Sequence, residues 1–301
     1  LARIYGKDSE GRPVGLVNLT MEVEEGHIFG LVGPNGSGKT TTLKLLLGLI
    51  YPTEGKGTVF GLPLGNPAYK ARIGFLPEGP YFYDHLNAIE LLQFYGGLFG
   101  LGGAKLQARI EELLRLVGMW DRREIRIRNY SRGMLQRIGV AQALINDPDL
   151  VFLDEPTAGL DPTAQIEMRE LMHALRDRGK TVFLCSHLLK EMEPMCDSVV
   201  ILSRGVVRRQ GHICDLLSSQ SGRYQIRATS CANVPMQSLK DRALDVTVTG
   251  EEFSLLFADQ HQALTAAGEI DGGGGTIIEL GAQTRSLEDV FIEAVAAGGG
   301  D

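Results

Sequence analysis

The sequence predicts an α/β fold: a mostly parallel central sheet, a helical subdomain inserted into it, and a small α+β module at the C-terminal end. Three observations carry that expectation. The apolar runs Leu150-Val151-Phe152-Leu153 and Thr181-Val182-Phe183-Leu184-Cys185 have no polar alternation, as strands buried on both faces do. Between them, Thr163 to Arg178 has an amphipathic helical pattern that stops at Gly179, which completes a βαβ unit. A third apolar run, Ile28-Phe29-Gly30-Leu31-Val32, leads through a glycine-rich turn into the helix-like Thr41-Thr42-Leu43-Lys44-Leu45-Leu46-Leu47.

The remaining elements follow in order. Leu16 to Val23 alternates loosely, as a half-buried strand does, and Glu24-Glu25-Gly26 turns the chain into the strand at Ile28. Ile73 to Glu78 reads as a short strand closed by Pro77. Ile89, Leu92, Phe94 and Leu98 suit a helix from Asn87 to Phe99, and Ile110, Leu113, Leu114 and Val117 one from Leu106 to Val117. Pro148 ends a helix from Gln136 to Ile145, and Ser198 to Ser203 with Val206-Val207 suits a hairpin. Composition changes after Ser218: Ser218-Ser219-Gln220-Ser221-Gly222 reads as a linker. Short alternating pieces (Tyr224 to Arg227, Val246 to Thr249), a helix near His261 to Ala267 and a turn at Gly272 to Gly275 follow. The expected organisation is a first domain over 1–217, with its helical subdomain over about 79–140, and a second module over 218–301.

Bulk composition narrows the function classes. A chain of 301 residues, 44% hydrophobic and 22% charged, is long enough for a sizeable core. Its net charge of −7 and lack of a long basic stripe argue against nucleic acid as the main partner. The longest weakly polar stretch, Leu91 to Ala104, is too short and too glycine-rich to span a bilayer, so a soluble chain is expected. No basic-then-apolar leader follows Leu1, so no secretory signal is expected. Cys185, Cys196, Cys214 and Cys231 form no zinc-type spacing and read as reduced, structural thiols of a cytosolic protein.

Chemistry concentrates at three places. Gly33-Pro34-Asn35-Gly36-Ser37-Gly38-Lys39-Thr40 fits G-x-x-x-x-G-K-[ST] between a strand and a helix that opens at Thr41. Its glycines let successive N–H groups turn inward on an anion, and the positive end of the following helix points at the same place. Lys39 would then reach the β and γ phosphates, and the Thr40 hydroxyl would ligate Mg²⁺. Asp154 and Glu155 close a buried strand, where carboxylates of an open parallel sheet face the ligand crevice. Asp154 suits a Mg²⁺ site through water, and Glu155 suits activation of the attacking water. His187 follows the strand ending at Cys185, where an imidazole can touch the γ phosphate.

Taken in order, Gly33 to Thr40, Tyr130-Ser131-Arg132-Gly133-Met134 opening a helix, Leu150 to Glu155, Gly159-Leu160-Asp161 and His187 resemble the nucleotide-binding subunit of an ATP-binding cassette (ABC) transporter, over roughly Leu1 to Leu217. The resemblance implies a P-loop NTPase core of the RecA-like kind, with ATP and Mg²⁺ as cofactors. It also implies a head-to-tail dimer, homomeric or heteromeric, that sandwiches two ATPs. Tyr5 resembles the aromatic residue that stacks on adenine. Ser131, Arg132, Gly133 and Met134 would face the partner's nucleotide, Asp161 would couple the two sites, and Glu78 stands where the family usually has a glutamine near Mg²⁺.

The signature departs from the usual Leu-Ser-Gly-Gly-Gln at three of five places. Arg132 either crowds the partner nucleotide or adds a charge-assisted contact, and the sequence leaves both open. Together with Glu78 it resembles exporter subunits of the ABC-2 type, including the daunorubicin-resistance and sodium-extrusion groups. That resemblance implies a separate integral membrane permease, docked near Tyr81, Phe82 and Tyr83, and a cytoplasmic, peripheral location on the inner face of the membrane. Ser286 to Glu293 also resembles the C-terminal module of these exporters. Two alternatives remain in sequence terms: a soluble ABC ATPase with a non-transport partner, and a regulatory subunit with little hydrolysis.

Overall fold

The first part of the chain is built on parallel strands whose C-terminal ends share one edge. A computed structural model describes residues 1–7, 13–217, 223–229, 233–250, 252–283 and 285–297. It divides into two compact units: Leu1–Ile213 together with Phe291 and the residues after it, and Cys214–Val290.

In the first unit β1 (Arg3–Lys7) and β2 (Pro13–Leu16) pair antiparallel, and β3 (Ile28–Val32) leads into α1 (Lys39–Leu46). A small hairpin, β4 (Thr58–Val59) with β5 (Leu62–Pro63), and the single turn α2 (Pro67–Lys70) precede β6 (Ile73–Leu76). Three helices follow, α3 (Ala88–Leu98), α4 (Gly103–Leu116) and α5 (Arg132–Ala143), before β7 (Leu150–Asp154), α6 (Pro162–Asp177) and β8 (Thr181–Ser186). The short α7 (Leu189–Met192) and the hairpin of β9 (Ser198–Ser203) and β10 (Val206–His212) complete this stretch, and α8 (Ile213–Leu217) begins at the unit boundary. The main sheet runs β10-β9-β3-β8-β7-β6 and is parallel except for the β10–β9 pair.

Every residue of β3, β7 and β8 is buried, as uninterrupted apolar runs require. Parallel register sets Phe29, Phe183 and Phe152 side by side, with ring centroids 5.3 Å apart at both contacts. The same register puts Val32 opposite Ser186, Asp154 opposite Cys185 and Leu76 opposite Leu153. The loops that leave these four strands carry Gly33, His187, Glu155 and Glu78, so they emerge along one edge of the sheet.

Capping fixes where the helices begin. Ser131, Asp161 and Asn87 each accept from a first-turn N–H of α5, α6 and α3, and Glu90 returns a capping-box bond to Asn87. Two glycines seat α5 directly on β6: a Cβ at Gly74 would lie 2.0 Å from the Ala143 carbonyl oxygen, and one at Gly139 2.5 Å from Leu76 Cδ1.

The alternation from Leu16 to Val23 does not produce a strand. β2 ends at Leu16, and the next amides go to single carbonyls: Val17 and Asn18 donate to Gly205, and Leu19 donates to Leu1. Cys185 and Cys196 are buried thiols, but Cys214 is exposed and is therefore not a core residue. Cys231 and the linker expected at Ser218 to Gly222 lie outside the described residues.

The second unit contains β11 (Tyr224–Thr229), α9 (Met236–Arg242), β12 (Asp245–Thr249), β13 (Glu252–Phe257), α10 (Gln260–Gly272) and β14 (Ile277–Ala282), an antiparallel sheet in the order β12-β13-β11-β14. This βαββαβ path is ferredoxin-like. Its core holds Ile226, Phe253, Leu255 and Phe257 against Ala263, Ala266 and Ile270 of α10. The chain continues into α11 (Leu287–Ala297). Among the described residues no helix is long and apolar enough to cross a membrane.

Candidate active site

The turn after β3 is built to hold an anion. Gly36 and Gly38 take φ of 77° and 110°, conformations that side chains oppose, and α1 starts at Lys39 with no side-chain cap on its first turn. Those first-turn N–H groups and the helix dipole face the loop, which suits a phosphate chain. Lys39 is buried, and its ammonium donates to the carbonyls of Gly33 at 2.7 Å and Pro34 at 3.3 Å. It also lies 3.9 Å from Glu155 Oε1. The buried Ser37 hydroxyl has no hydrogen-bond partner among the described residues.

Glu155 is the centre of the polar cluster. Its φ of 50° turns the chain sharply out of β7, and its N–H donates to the Cys185 carbonyl at 2.9 Å. The carboxylate is buried; Ser186 Oγ donates to Oε2 at 3.0 Å, and His187 Nδ1 lies 2.9 Å from Oε1. That contact occupies Nδ1 and leaves Nε2 of the part-exposed imidazole for a ligand. Asp154, one residue earlier, is buried beside two other acids. Burial first, then the charges of Glu155 and Glu78, push its carboxyl up to about 6, while Lys39 and Lys44 act the other way.

Oxygen donors of the kind Mg²⁺ prefers are therefore present in Thr40, Asp154 and Glu78, and the raised Asp154 carboxyl marks a place where added positive charge is favourable. Among the described residues, no three His, Cys, Asp or Glu are grouped to hold a metal by themselves. Such a set fits an ion bound with substrate phosphates and water.

The signature residues gather elsewhere. Ser131 Oγ accepts from Met134 N–H at 3.3 Å, which leaves the hydroxyl hydrogen for another acceptor. Gly133 faces the start of α6: a Cβ there would sit 3.6 Å from Ala164 Cβ and 4.0 Å from Leu160 Cδ2. The Arg132 guanidinium covers Gly159 of the same subunit; a Cβ on Gly159 would be 2.3 Å from Nη1. Asp161 caps α6 by accepting from Ala164 N–H at 2.9 Å. Tyr5 on β1 is exposed, with the Arg3 guanidinium 5.3 Å from its ring centroid.

Thus Lys39, Asp154, Glu155 and His187 converge, whereas Ser131 to Met134 form a second cluster with Gly159, Leu160 and Ala164. Sequence reasoning missed Ser186, whose hydroxyl orients Glu155; its place beside His187 at the strand end was the available sign. It also missed Glu191, which accepts from Thr157 and Gln165.

A sequence profile described as ABC transporter matches residues 16–158. An uncharacterized ABC transporter ATP-binding protein of Nostoc sp. is 42% identical over 286 residues, 94% of this chain and 83% of the relative. A Nod factor export ATP-binding protein I of Cupriavidus metallidurans is 34% identical over 94% of this chain and 93% of its own. A solved ATP-binding cassette, a dimer in a post-hydrolysis state bound to ADP and Pi, superposes with a TM-score of 0.62 at 25% identity, covering 70% of this chain and 95% of that one. Identity sustained over nearly the whole length of such relatives means that the chain belongs to the family of ABC transporter ATP-binding proteins, as an ATP-binding and ATP-hydrolysing subunit.

Proposed function

We propose that this subunit powers export through separate ABC-2-type membrane subunits, as a nucleotide-sandwich dimer held on the cytoplasmic face of the membrane by its permease. The observation that carries the catalytic part is the Glu155 carboxylate, buried within reach of Lys39 and oriented by Ser186 and His187 at the edge where the phosphate loop opens.

In this reading the triphosphate takes the place of the Gly33 and Pro34 carbonyls at the Lys39 ammonium, so the cation exchanges neutral acceptors for anionic ones. Backbone N–H groups from Asn35 to Thr41 face the phosphates, with Gly33 and Pro34 shaping the turn, and Tyr5 stacks on the adenine. Thr40, Asp154 and Glu78 would hold Mg²⁺, which would neutralise phosphate charge. Glu155 accepts the proton of the attacking water, and Ser186 and His187 keep its carboxylate aimed. His187 Nε2 reaches the γ phosphate. Ser131 and Gly133 offer a hydroxyl and helix N-terminal N–H groups to the partner's γ phosphate, and Asp161 lies where the two subunits meet.

The export part is supported by the Nod factor export relative and by an exposed aromatic surface. Tyr81 is 99% exposed, and Tyr83, also exposed, packs edge-on to Phe94 with centroids 5.5 Å apart. Large, partly polar rings left exposed among the described residues suit a protein interface. The test is photo-crosslinking from position 81 in intact cells, followed by mass spectrometry. Capture of a multi-span membrane protein is the expected result; capture of soluble or ribosomal proteins alone would overturn the transport assignment.

A further inference from the structure

Glu191, on the one-turn helix α7, joins three parts of the chain that the reaction must keep in step. One carboxylate oxygen accepts from Thr157 Oγ1, two residues beyond Glu155, and the other accepts from Gln165 Nε2 on α6 at 2.9 Å. Thr157 is only 1% exposed, so its hydroxyl has little access to water as a substitute partner. Four residues before Glu191 stands His187, itself bound to Glu155. The segment 155–157 is therefore fastened to the segment 185–191 at four points: the Glu155 amide on the Cys185 carbonyl, Ser186 and His187 on the Glu155 carboxylate, and Thr157 on Glu191.

We propose that Glu191 is a positioning residue for ATP hydrolysis, locking the turn after Glu155 to the loop that carries His187; this rests on the ATPase assignment of Glu155. Glu155 occupies the left-handed region at φ 50°, a conformation that a non-glycine residue keeps only when its surroundings over-determine it. The Thr157 bond restrains the chain just past that point, and the Gln165 bond ties the first turns of α6 to the same carboxylate. A displacement of Gly159 to Asp161, the turn between Thr157 and α6, is thereby passed to α7 and His187 rather than absorbed locally. Glu191 touches none of the reacting atoms; its contribution is to keep Glu155 and His187 in one geometry.

The experiment compares Glu191→Ala, Thr157→Val, the double variant and Glu191→Gln in the full chain. It measures ATP turnover, ATP affinity and hydrogen exchange of the amides in 155–161 and 186–191. Thr157→Val is nearly isosteric and preserves packing at a buried site, so it tests the hydroxyl bond even where Glu191→Ala folds poorly. Each of these two substitutions is expected to lower kcat by about 10–100-fold, as small misplacements of catalytic groups do, with ATP affinity held within about threefold. The double variant is expected to lose no more than the worse single one, and exchange in both segments is expected to rise. Glu191→Gln retains most turnover, because its amide can accept from Gln165 and donate to Thr157. Turnover within about twofold of wild type in Thr157→Val, losses that multiply in the double variant, or unchanged exchange would overturn the proposal. Glu155→Gln serves as the control: if it loses nothing, the ATPase assignment itself fails, whereas if it is inactive and Thr157→Val is not, only the positioning role fails.

Discussion

Replacing Asp154 by asparagine should make the nucleotide- and metal-free protein more stable while abolishing its activity. Asp154 is 8% exposed at the end of β7, and burial with the nearby charges of Glu155 and Glu78 raises its carboxyl from the ordinary 3.8 to about 6. A folded-state value above the unfolded one means that the native protein binds the proton more tightly. Stability is therefore highest below about pH 4 with respect to this group and falls as pH rises towards 6, beyond which the full penalty of a buried charge is present. At about 1.4 kcal/mol per pH unit the rise is worth about 3 kcal/mol. Asp154→Asn removes the charge at nearly constant volume, so at pH 7.5 the first unit should melt roughly 6–12 °C higher than wild type. The gap should shrink by pH 5. The assay is thermal unfolding by circular dichroism at both pH values, with chelator and without nucleotide, and the ATPase rate of the same variant at pH 7.5. An Asp154→Asn protein that melts at or below the wild-type temperature at pH 7.5, or whose gain is the same at pH 5, would refute the reasoning.

Two other substitutions probe separate links. Lys39→Ala removes the buried ammonium that bridges the loop carbonyls, and ATP affinity measured by titration should fall about 10–100-fold, the range for losing a charge-assisted bond; unchanged affinity would exclude phosphate binding by Lys39. Gly159→Ala places a methyl where the Arg132 guanidinium lies, at a φ of 68° that alanine also resists. Its effect on ATP turnover should therefore be smaller in an Arg132→Gly background than in wild type, and equal effects in both would show that the contact has no consequence.

Much of the candidate site's geometry was legible because it follows from strand ends. Ile28 to Val32, Leu150 to Leu153 and Thr181 to Cys185 read as buried strands, so the residues just past them, the phosphate loop from Gly33, Asp154 with Glu155, and His187, are expected on the crevice side of a parallel sheet. Contacts between side chains on different loops were not legible. Glu191 lies 34 residues from Thr157, and on a one-turn helix it reads as a solvated acid. Nothing in the sequence indicated that Arg132 would cover Gly159, since that depends on α5 being seated on β6 through Gly74 and Gly139. Leu16 to Val23 shows the opposite error, because alternation reports a half-buried extended chain but a strand needs a continued ladder, and here Asn18 makes an isolated bridge to Val206.

The most direct measurement is the Mg²⁺-supported ATP turnover of Glu155→Gln against wild type, with ATP affinity measured on the same samples. Glutamine preserves the size of the side chain and a hydrogen-bond acceptor for Ser186, but it is a far weaker base than a carboxylate. The account predicts turnover lower by about 10²–10⁴-fold with ATP still bound. Undiminished turnover would contradict it and remove Glu155 from the centre of the reaction.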